Sequence, residues 1–454
     1  MITRRNLLMS AGASLAASQS PARRPNFIVI LTDDQGYGDL GANGAADMKT
    51  PNLDRLAATG VRFTDWHANS PVCSPSRASV LTGRYPQRTG IVQVLNSRPT
   101  FDVPGLRRGE VSLANELSRA GYKTAAIGKW HVGSAEHSRP MAQGFDQFFG
   151  FYSGWVDFYS HRYYTLSGNP GATGPVPQNI FHDFWSNNEE VHPEPEYQTE
   201  LLGRKAREFV SAQSADRPFF LYLTFGAPHY PMMAPAKYVE RFPASMDRDR
   251  RLHAAMVAAV DDQVGALVAE LKRAGLDQNT LLFFQSDNGA TEEFRADHMG
   301  RPYRGGSNGP NRGWKGSLWE GGHRVPALMN FPGQIASRVE SGTGMGMDVL
   351  PTLLGFAGLR VPSAVDGTDL SAALRGGSPW PDRSIHWDYS DQRAVRKGEW
   401  KLVVNPRNSL NTGIERLTWL SNLKEDPGET RNYLDARPEI ARELQAQIAA
   451  WKWE

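Results

Sequence analysis

Cysteine is almost absent from this chain, since Cys73 is the one cysteine in 454 residues. A single cysteine excludes any disulfide within the chain and any zinc or iron–sulfur site built from several cysteines. Excess charge is absent as well, because 50 Lys and Arg face 48 Asp and Glu, a formal net charge of +2. This balance argues against a nucleic-acid partner held by bulk charge. No apolar run approaches the roughly 18 residues that cross a bilayer, so we expect no membrane span.

What the chain does have is the composition of a globular protein with a large core. Hydrophobic residues make up 40% of it and charged residues 22%. A length prior of roughly 150 residues per domain suggests about three units, which large α/β enzymes fuse into one core.

The first 22 residues look like an export signal. Arg4 and Arg5 are followed by a small-residue apolar stretch from Leu7 to Ala17, which resembles a twin-arginine signal. We therefore leave residues 1–22 out of the fold and expect an exported protein, periplasmic or secreted.

Apolar runs alternate with helical patterns through most of the remaining chain. The runs 27–31, 123–127, 219–225 and 280–285 read as strands buried on both faces, and helices are predicted over about 51–59, 75–82, 111–120 and 247–273. This alternation predicts a doubly wound α/β sheet. Residues 145–197 are rich in aromatic residues and glycine with little periodicity, and we interpret them as long surface loops.

Each of the four predicted strands is followed by polar residues. Asp33 and Asp34 follow the first, Lys129 and His131 the second, His229 the third, and Asp287 with Asn288 the fourth. Ligand sites in open α/β sheets lie beyond the carboxyl ends of the strands. The sequence therefore predicts one site assembled from four strand ends.

The pattern of predicted strands and helices changes after about residue 375. A hairpin is predicted from residues 393–396 and 400–404, then a strand over 417–423 and a helix over 438–451. We expect an α/β domain over residues 25–375 and a small α+β subdomain over residues 376–454.

Residues 70–84 carry a candidate nucleophile. Cys73 begins a predicted helix, where free N–H groups favour negative charge, and Arg77 lies one turn later. From these residues alone, Cys73 is a candidate thiolate nucleophile.

The spelling Cys73-Ser-Pro-Ser-Arg77, followed by Leu81-Thr-Gly-Arg84, resembles the signature of type I sulfatases, of the alkaline phosphatase superfamily. Further matches occur in order along nearly all of the chain, in Asp33-Asp34-Gln-Gly, Gly128-Lys-Trp-His131 and Ala227-Pro-His229. The resemblance implies an alkaline-phosphatase-like sandwich with a large, mixed, mostly parallel central sheet and a C-terminal antiparallel sheet.

The resemblance also implies the site. In that family the signature cysteine becomes formylglycine, which needs a separate maturation enzyme. The implied metal ligands are Asp33, Asp34, residue 73, Asp287 and Asn288, a hard oxygen set that suits Ca²⁺, with Mg²⁺ as the alternative. The implied catalytic residues are Cys73, Arg77, Lys129, His131, His229 and Lys315. The family mechanism has one hydrate oxygen of formylglycine attack sulfur in line, which leaves a sulfate ester on residue 73.

The residue roles follow the same pattern. Lys129 and Lys315 would hold sulfate oxygens, His229 would protonate the leaving oxygen, and His131 would act as the base, with a partial exchange of the two histidine roles left open. Candidate substrate contacts are His161, Arg162, Arg304, Trp314 and His323, of which His323 is equally a packing residue.

The resulting prediction is a sulfatase acting on a sulfated carbohydrate. The first alternative is a phosphonate or phosphate monoester hydrolase of the same superfamily, since sulfate and phosphate esters differ mainly in charge. A non-catalytic binder of sulfated glycans and a cysteine-thiolate enzyme are the others.

Overall fold

The computed structural model describes residues 23–96, 102–167, 176–293 and 303–452. The export signal predicted over residues 1–22 lies outside the described residues. The strands are β1 (Asn26–Thr32), β2 (Val61–Phe63), β3 (Trp66–His67), β4 (Lys123–Lys129), β5 (Gln147–Phe151), β6 (Arg162–Ser167), β7 (Val176–His182), β8 (Trp185–Ser186), β9 (Glu189–Glu190), β10 (Phe219–Thr224), β11 (Thr280–Ser286), β12 (Ala327–Asn330), β13 (Arg338–Glu340), β14 (Gly344–Met345), β15 (Ser384–Tyr389), β16 (Gln392–Lys397), β17 (Trp400–Val404) and β18 (Thr418–Asn422). The α-helices are α1 (Pro51–Thr59), α2 (Cys73–Thr82), α3 (Pro86–Thr89), α4 (Leu113–Arg119), α5 (Gln198–Ser211), α6 (Ala236–Val239), α7 (Arg248–Arg273), α8 (Glu320–His323), α9 (Val349–Phe356), α10 (Ser371–Leu374) and α11 (Pro438–Ala450).

A sheet of 10 strands forms the centre, in the order β13-β2-β12-β11-β1-β10-β4-β5-β8-β9. Its five strands from β11 to β5 are parallel to one another. Strand β12 pairs antiparallel with β11 on one side, and β8 pairs antiparallel with β5 on the other. The predicted mixed, mostly parallel sheet is confirmed.

Helices cover both faces of this sheet. Alternate residues of β1 point to opposite sides, so that Ile28 and Ile30 join one apolar cluster while Val29 and Leu31 join the other. Helices α1, α5 and α7 contribute to the first cluster, and α2, α4 and α9 to the second. This burial on both faces explains the continuous apolar runs in the sequence.

Helix α7 is the one described helix long and apolar enough to cross a membrane. In its most apolar 18-residue stretch, 67% of the residues are buried inside the protein. That burial is the behaviour of a core helix.

A second sheet of four antiparallel strands, β15-β16-β17-β18, follows in the C-terminal part, as predicted. Helix α11 packs on it through Ala441 and Leu444. The boundary expected between residues 375 and 376 stays a prediction.

Helix α2 begins at Cys73, as expected for that residue, and two residues before the approximate start at Pro75. Proline is tolerated within the first turn, where its missing N–H has no partner to lose. One sequence expectation was wrong in part. Residues 145–197 are not only surface loops, since β5 lies in the central sheet and Phe148, Phe151 and Tyr152 are buried.

Candidate active site

The four predicted strand ends meet at one edge of the central sheet. Strands β11, β1, β10 and β4 are consecutive and parallel, so their carboxyl ends share that edge. Asp33 and Asp34 follow β1 directly, and Asp287 and Asn288 follow β11. Lys129 is the last residue of β4, and His229 lies five residues after the end of β10.

Hydrogen bonds connect Asp34 to Asn288 and to Asp287. Asn288 Nδ2 donates to Asp34 Oδ1 at 2.7 Å, and the Asp34 amide donates to Asp287 Oδ1 at 3.3 Å. Asp34 has a positive φ of 63°, an uncommon conformation for a residue with a side chain, of the kind that clusters at functional sites. Asp33 Oδ1 and Asn288 Oδ1 are buried without a hydrogen-bond partner among the described residues.

Each acidic side chain is paired with a buried cation. Lys129 Nζ lies 2.5 Å from Asp33 Oδ2, Arg77 Nη2 lies 2.8 Å from Asp287 Oδ2, and Lys315 Nζ lies 2.9 Å from Asp34 Oδ1. Burial works to lower the pKa of Lys315, but the charges of Asp34, Glu293 and Asp33 together outweigh it and hold that pKa well above its ordinary value. Burial and the nearby Asp33 raise the pKa of Asp287 despite Arg77. The site therefore balances three carboxylates with three cations.

Cys73 lies at the start of α2, beside these charges, and is 2% exposed. Burial raises the pKa of its thiol, and the charges of Lys129 and Lys315 only partly oppose this effect. A thiol of raised pKa is a weak nucleophile at neutral pH, because the thiolate is the reactive form. The structure thus disfavours the reading of Cys73 as a simple thiolate nucleophile.

The backbone fixes the tautomer of His131. Nε2 lies 2.9 Å from the carbonyl oxygen of Leu95, and because a carbonyl only accepts, Nε2 carries the proton and donates. Nδ1 then holds the lone pair, and it is buried without a partner among the described residues. Burial, with Lys129 and Arg77, lowers the pKa of His131 well below its ordinary value, so the ring is neutral.

His229 is fixed in the opposite sense. Its Nδ1 donates to the carbonyl oxygen of Tyr230 at 2.7 Å, which leaves Nε2 facing Asp34 Oδ2 at 3.7 Å. Burial lowers the pKa of His229 well below its ordinary value, although the Asp34 charge opposes this. The two histidines therefore present different nitrogens to the site.

The candidate substrate contacts have different environments. His161 is buried, its ring centroid 4.6 Å from that of Phe184, and burial lowers its pKa to about 4. Arg162 is exposed on β6, and Arg304 is exposed with Nε 3.1 Å from Glu292 Oε2. Trp314 is half-buried, and its amide donates to the Asn408 carbonyl at 2.9 Å.

His323 belongs to a second buried group of charges, where the central part of the chain meets the C-terminal sheet. Its Nδ1 lies 3.1 Å from His67 Nδ1, and its Nε2 lies 3.0 Å from Lys401 Nζ. These contacts favour the packing role for His323. We call the group the joining cluster, and its members are Asp65, His67, Glu320, His323, Arg396, Lys401 and Glu429.

Sequence reasoning missed the joining cluster and the partners of His131. The cluster joins side chains up to 331 residues apart, such as Asp65 and Arg396, and no short motif marks such pairs. The partner that fixes the His131 tautomer is a backbone carbonyl, which every residue has. The amide of the same Leu95 donates to Ser74 Oγ at 3.0 Å. In the sequence, Ser74 beside Cys73 was the one residue that could have pointed to this contact with Leu95.

Comparisons with known proteins agree with this architecture. The family described as Sulfatase matches residues 25–359. The chain is 35% identical to human arylsulfatase A over 97% of this chain and 89% of that protein. It is 33% identical to mouse N-acetylgalactosamine-6-sulfatase over 87% of this chain and 74% of that protein. Among solved structures, Ps i-CgsB in complex with k-i-k-neocarrahexaose superposes with a TM-score of 0.81 at 30% identity, over 95% of this chain and 93% of that one.

The large mixed sheet, the separate four-stranded antiparallel sheet and the structural neighbours together define an alkaline-phosphatase-like fold. Within that class, the extent of the family match is decisive. The chain belongs to the sulfatase family and is a sulfuric ester hydrolase.

Proposed function

We propose that this sulfatase removes sulfate from a sulfated carbohydrate, using a bound Ca²⁺ ion and a formylglycine made from Cys73. Carbohydrate as the substrate class is supported by the relatives, one named for N-acetylgalactosamine 6-sulfate and one crystallised with a neocarrahexaose. The exposed Arg162 and Arg304 and the half-buried Trp314 are proposed sugar contacts, together with His161.

The observation that carries the metal proposal is the pair of buried oxygens without a partner, Asp33 Oδ1 and Asn288 Oδ1. Burying a carboxylate oxygen without a partner is costly, and a cation between such oxygens removes the cost. With Asp34 and Asp287 they offer hard oxygen donors, which fit Ca²⁺, or Mg²⁺ as the alternative. Residue 73 borders the same charges, since Asp33 and Asp287 both act on its thiol. When bound, the ion supplies positive charge that polarises a sulfate oxygen.

Formylglycine supplies an aldehyde whose hydrate offers a nucleophilic oxygen that the buried thiol does not. The signature around Cys73 supports this assignment. Conversion requires a maturation enzyme, which we propose as a partner of this chain.

The chain's own cations bind and orient the sulfate group. Arg77 is held against Asp287 and donates from Nη1 to the Lys129 carbonyl at 3.1 Å, so its charge stays next to residue 73. Lys129 is paired with Asp33 and Lys315 with Asp34. From these positions their ammonium groups would hold sulfate oxygens as charge moves onto them.

The two histidines would move the protons. His131 Nδ1 holds a free lone pair and would accept the proton from the hydroxyl of residue 73. His229 Nε2 would donate to the departing sugar oxygen. The negative charge of an arriving sulfate ester favours the protonated form of His229, which burial alone disfavours.

We further propose export of the protein to the periplasm or the exterior, on the twin-arginine-like sequence at Arg4 and Arg5. The balanced net charge of +2 gives no support to a nucleic-acid partner.

The test is inorganic sulfate release from a panel of sulfated mono- and disaccharides. The protein is co-expressed with a maturation enzyme and assayed with Ca²⁺, and an aryl phosphate serves as the control substrate. We expect sulfate release at one position of one sugar. Phosphate turnover without sulfate release would move the assignment to the phosphoesterase alternative.

A further inference from the structure

We propose that Asp183 is a positioning residue that holds both site histidines through one turn of backbone. The turn consists of residues 152–155, directly after β5, and we call it the covering turn. The inference rests on the roles proposed above for His131 and His229, and it adds a residue to which no catalytic motif points.

Asp183 is completely buried, and its carboxylate binds the covering turn. Oδ2 accepts from the Ser153 amide at 2.7 Å, and Oδ1 accepts from the Tyr152 amide at 3.2 Å. Oδ1 also accepts from Trp185 Nε1 at 2.8 Å. These donors are uncharged, and burial raises the pKa of Asp183 in spite of them. Burying a carboxylate that has only uncharged donors as partners is costly in free energy. Here the carboxylate joins two backbone segments 30 residues apart in the sequence.

The covering turn lies against the His131 imidazole. A Cβ on Gly154 would lie 2.8 Å from His131 Cε1 and 2.9 Å from its Nε2, so glycine lets the backbone touch the ring. The start of the turn is tied to the same strand end, because the Trp130 amide donates to the Phe151 carbonyl at 2.9 Å. His131 also has a positive φ of 57°, so neighbouring contacts must hold its unusual backbone.

The other end of the covering turn reaches the neighbourhood of His229. The ring centroids of Trp155 and Tyr230 are 5.5 Å apart, and those of His229 and Tyr230 are 4.1 Å apart. The Tyr230 carbonyl is also the acceptor of His229 Nδ1. Within the turn, Ser153 Oγ donates to the Trp155 carbonyl at 2.9 Å, which couples its two halves.

One carboxylate outside the reacting centre therefore sets the position of the proposed base and of the proposed acid. A displacement of about 1 Å in such a group costs on the order of a hundredfold in rate. Loss of the Asp183 contacts should slow proton transfer without removing any group that touches the substrate.

The experiment compares Asp183→Asn with Trp185→Phe in the full, matured protein. Asparagine keeps the shape of Asp183 but sets an N–H against one of the two backbone donors of the turn. We expect kcat/KM for a sugar sulfate to fall by about tenfold to a hundredfold. We expect a smaller fall for aryl sulfates with good leaving groups, because these need little protonation. Trp185→Phe removes the indole donor to Asp183 but keeps an aromatic ring beside Tyr152 and both backbone bonds of the covering turn, so it should keep near wild-type rates.

If Asp183 only stabilised the fold, its substitution would reduce the fraction of active protein. All rates would then fall by the same factor, and the dependence on the leaving group would stay unchanged. That result would overturn the proposal. If Asp183→Asn does not fold, Gly154→Ala decides, since its added methyl group meets the His131 ring. Because His131 acts on the hydroxyl of residue 73 and not on the leaving group, we expect kcat per folded molecule to fall for sugar and aryl sulfates alike. Wild-type rates in Gly154→Ala would equally overturn it. Wild-type rates in His131→Ala and His229→Ala would instead refute the roles proposed for the histidines.

Discussion

The active site and the joining cluster are both groups of buried charges, but they differ in how completely their atoms are paired. In the active site, Asp33 Oδ1, Asn288 Oδ1 and His131 Nδ1 have no partner among the described residues. In the joining cluster, within the same described ranges, Glu320 Oε2 is the one side-chain atom left in that state. Lys401, for example, lies 2.8 Å from Glu320 and 3.5 Å from Glu429.

This difference separates a site that waits for ligands from one that holds the fold together. Buried polar groups are usually paired, so orphaned atoms mark positions where an ion, a water or a substrate completes the structure. The joining cluster supplies its own partners, and it connects β3, α8 and the C-terminal sheet. Substitutions should therefore separate the two clusters into effects on rate and effects on stability.

The largest effect is expected from Cys73→Ala, which removes the proposed nucleophile. Sulfate release should fall by a factor on the order of 10⁵ or more, as for other nucleophile deletions. The midpoint of thermal unfolding should change little, since alanine replaces a small side chain and removes only its sulfur atom. Sulfate release comparable to wild type would reject residue 73 as the nucleophile.

A matched pair of lysines sharpens the comparison. Lys315→Met should lower kcat/KM by about 10²–10³-fold, because a charge on the developing sulfate oxygens is lost. Lys401→Met should instead lower the free energy of unfolding by about 3 kcal/mol, because the buried Glu320 loses its ammonium partner at 2.8 Å and keeps only the more distant Arg324 and Arg396, at 3.5 and 3.6 Å.

Steady-state kinetics on folded protein and urea unfolding distinguish the two outcomes. Equal losses of rate per folded molecule in both variants would break the distinction between the clusters.

The proposed metal ligands are tested by measuring the affinity for Ca²⁺. Asp287→Asn should weaken Ca²⁺ binding about tenfold to a hundredfold, measured by calorimetry after treatment with a chelator. Asp65→Asn, in the joining cluster, serves as the control and should leave Ca²⁺ affinity unchanged while lowering stability. Unchanged affinity in Asp287→Asn would remove that residue from the proposed ligands.

The smallest effect is a pH dependence of stability in the joining cluster. Burial lowers the pKa of His67 from the ordinary value of 6.5. Burial and the charge of Lys401 lower the pKa of His323 well below that value. As pH falls, the two histidines are protonated in the unfolded chain before they are protonated in the folded protein. The free energy of unfolding is therefore highest above about pH 6.5, and it decreases as pH falls towards the folded-state pKa values.

His323→Gln should flatten that loss by at most about 1.4 kcal/mol per pH unit. Urea unfolding at several pH values below 7 measures it, with the exposed His192→Gln as the control. A slope identical to that of wild type would show that His323 is not held neutral.

The sequence was sufficient for the four central parallel strands and for the residues at their ends, because these are local patterns. Continuous apolar runs marked β1, β4, β10 and β11, and the polar residues stood immediately after them. Strand β5 was missed because Gln147–Phe151 is short, contains Gly150 and follows no other strand signal. Its sheet position comes from pairing with β4, which only the folded chain provides.

The contacts that orient the site were out of reach for a different reason. Asp183 carries no local signal that it binds the amides of residues 152 and 153. The Leu95 carbonyl is likewise invisible in the sequence, and so are the partners of His67 and His323. Motifs identify the groups that react, whereas long-range hydrogen bonds decide how those groups are held.

The peptide units around Lys315 are bonded to the C-terminal part of the chain. The Leu410 amide donates to the Lys315 carbonyl at 3.2 Å, and Gln392 Nε2 donates to the Gly316 carbonyl at 2.8 Å. During synthesis from the N-terminus, Asp33 and Asp34 leave the ribosome first, but Lys315 gains these supports only after residue 410 has emerged. A nascent chain that has not yet exposed residue 410 would thus hold every proposed catalytic side chain but lack two of the bonds that hold the backbone at Lys315 and Gly316.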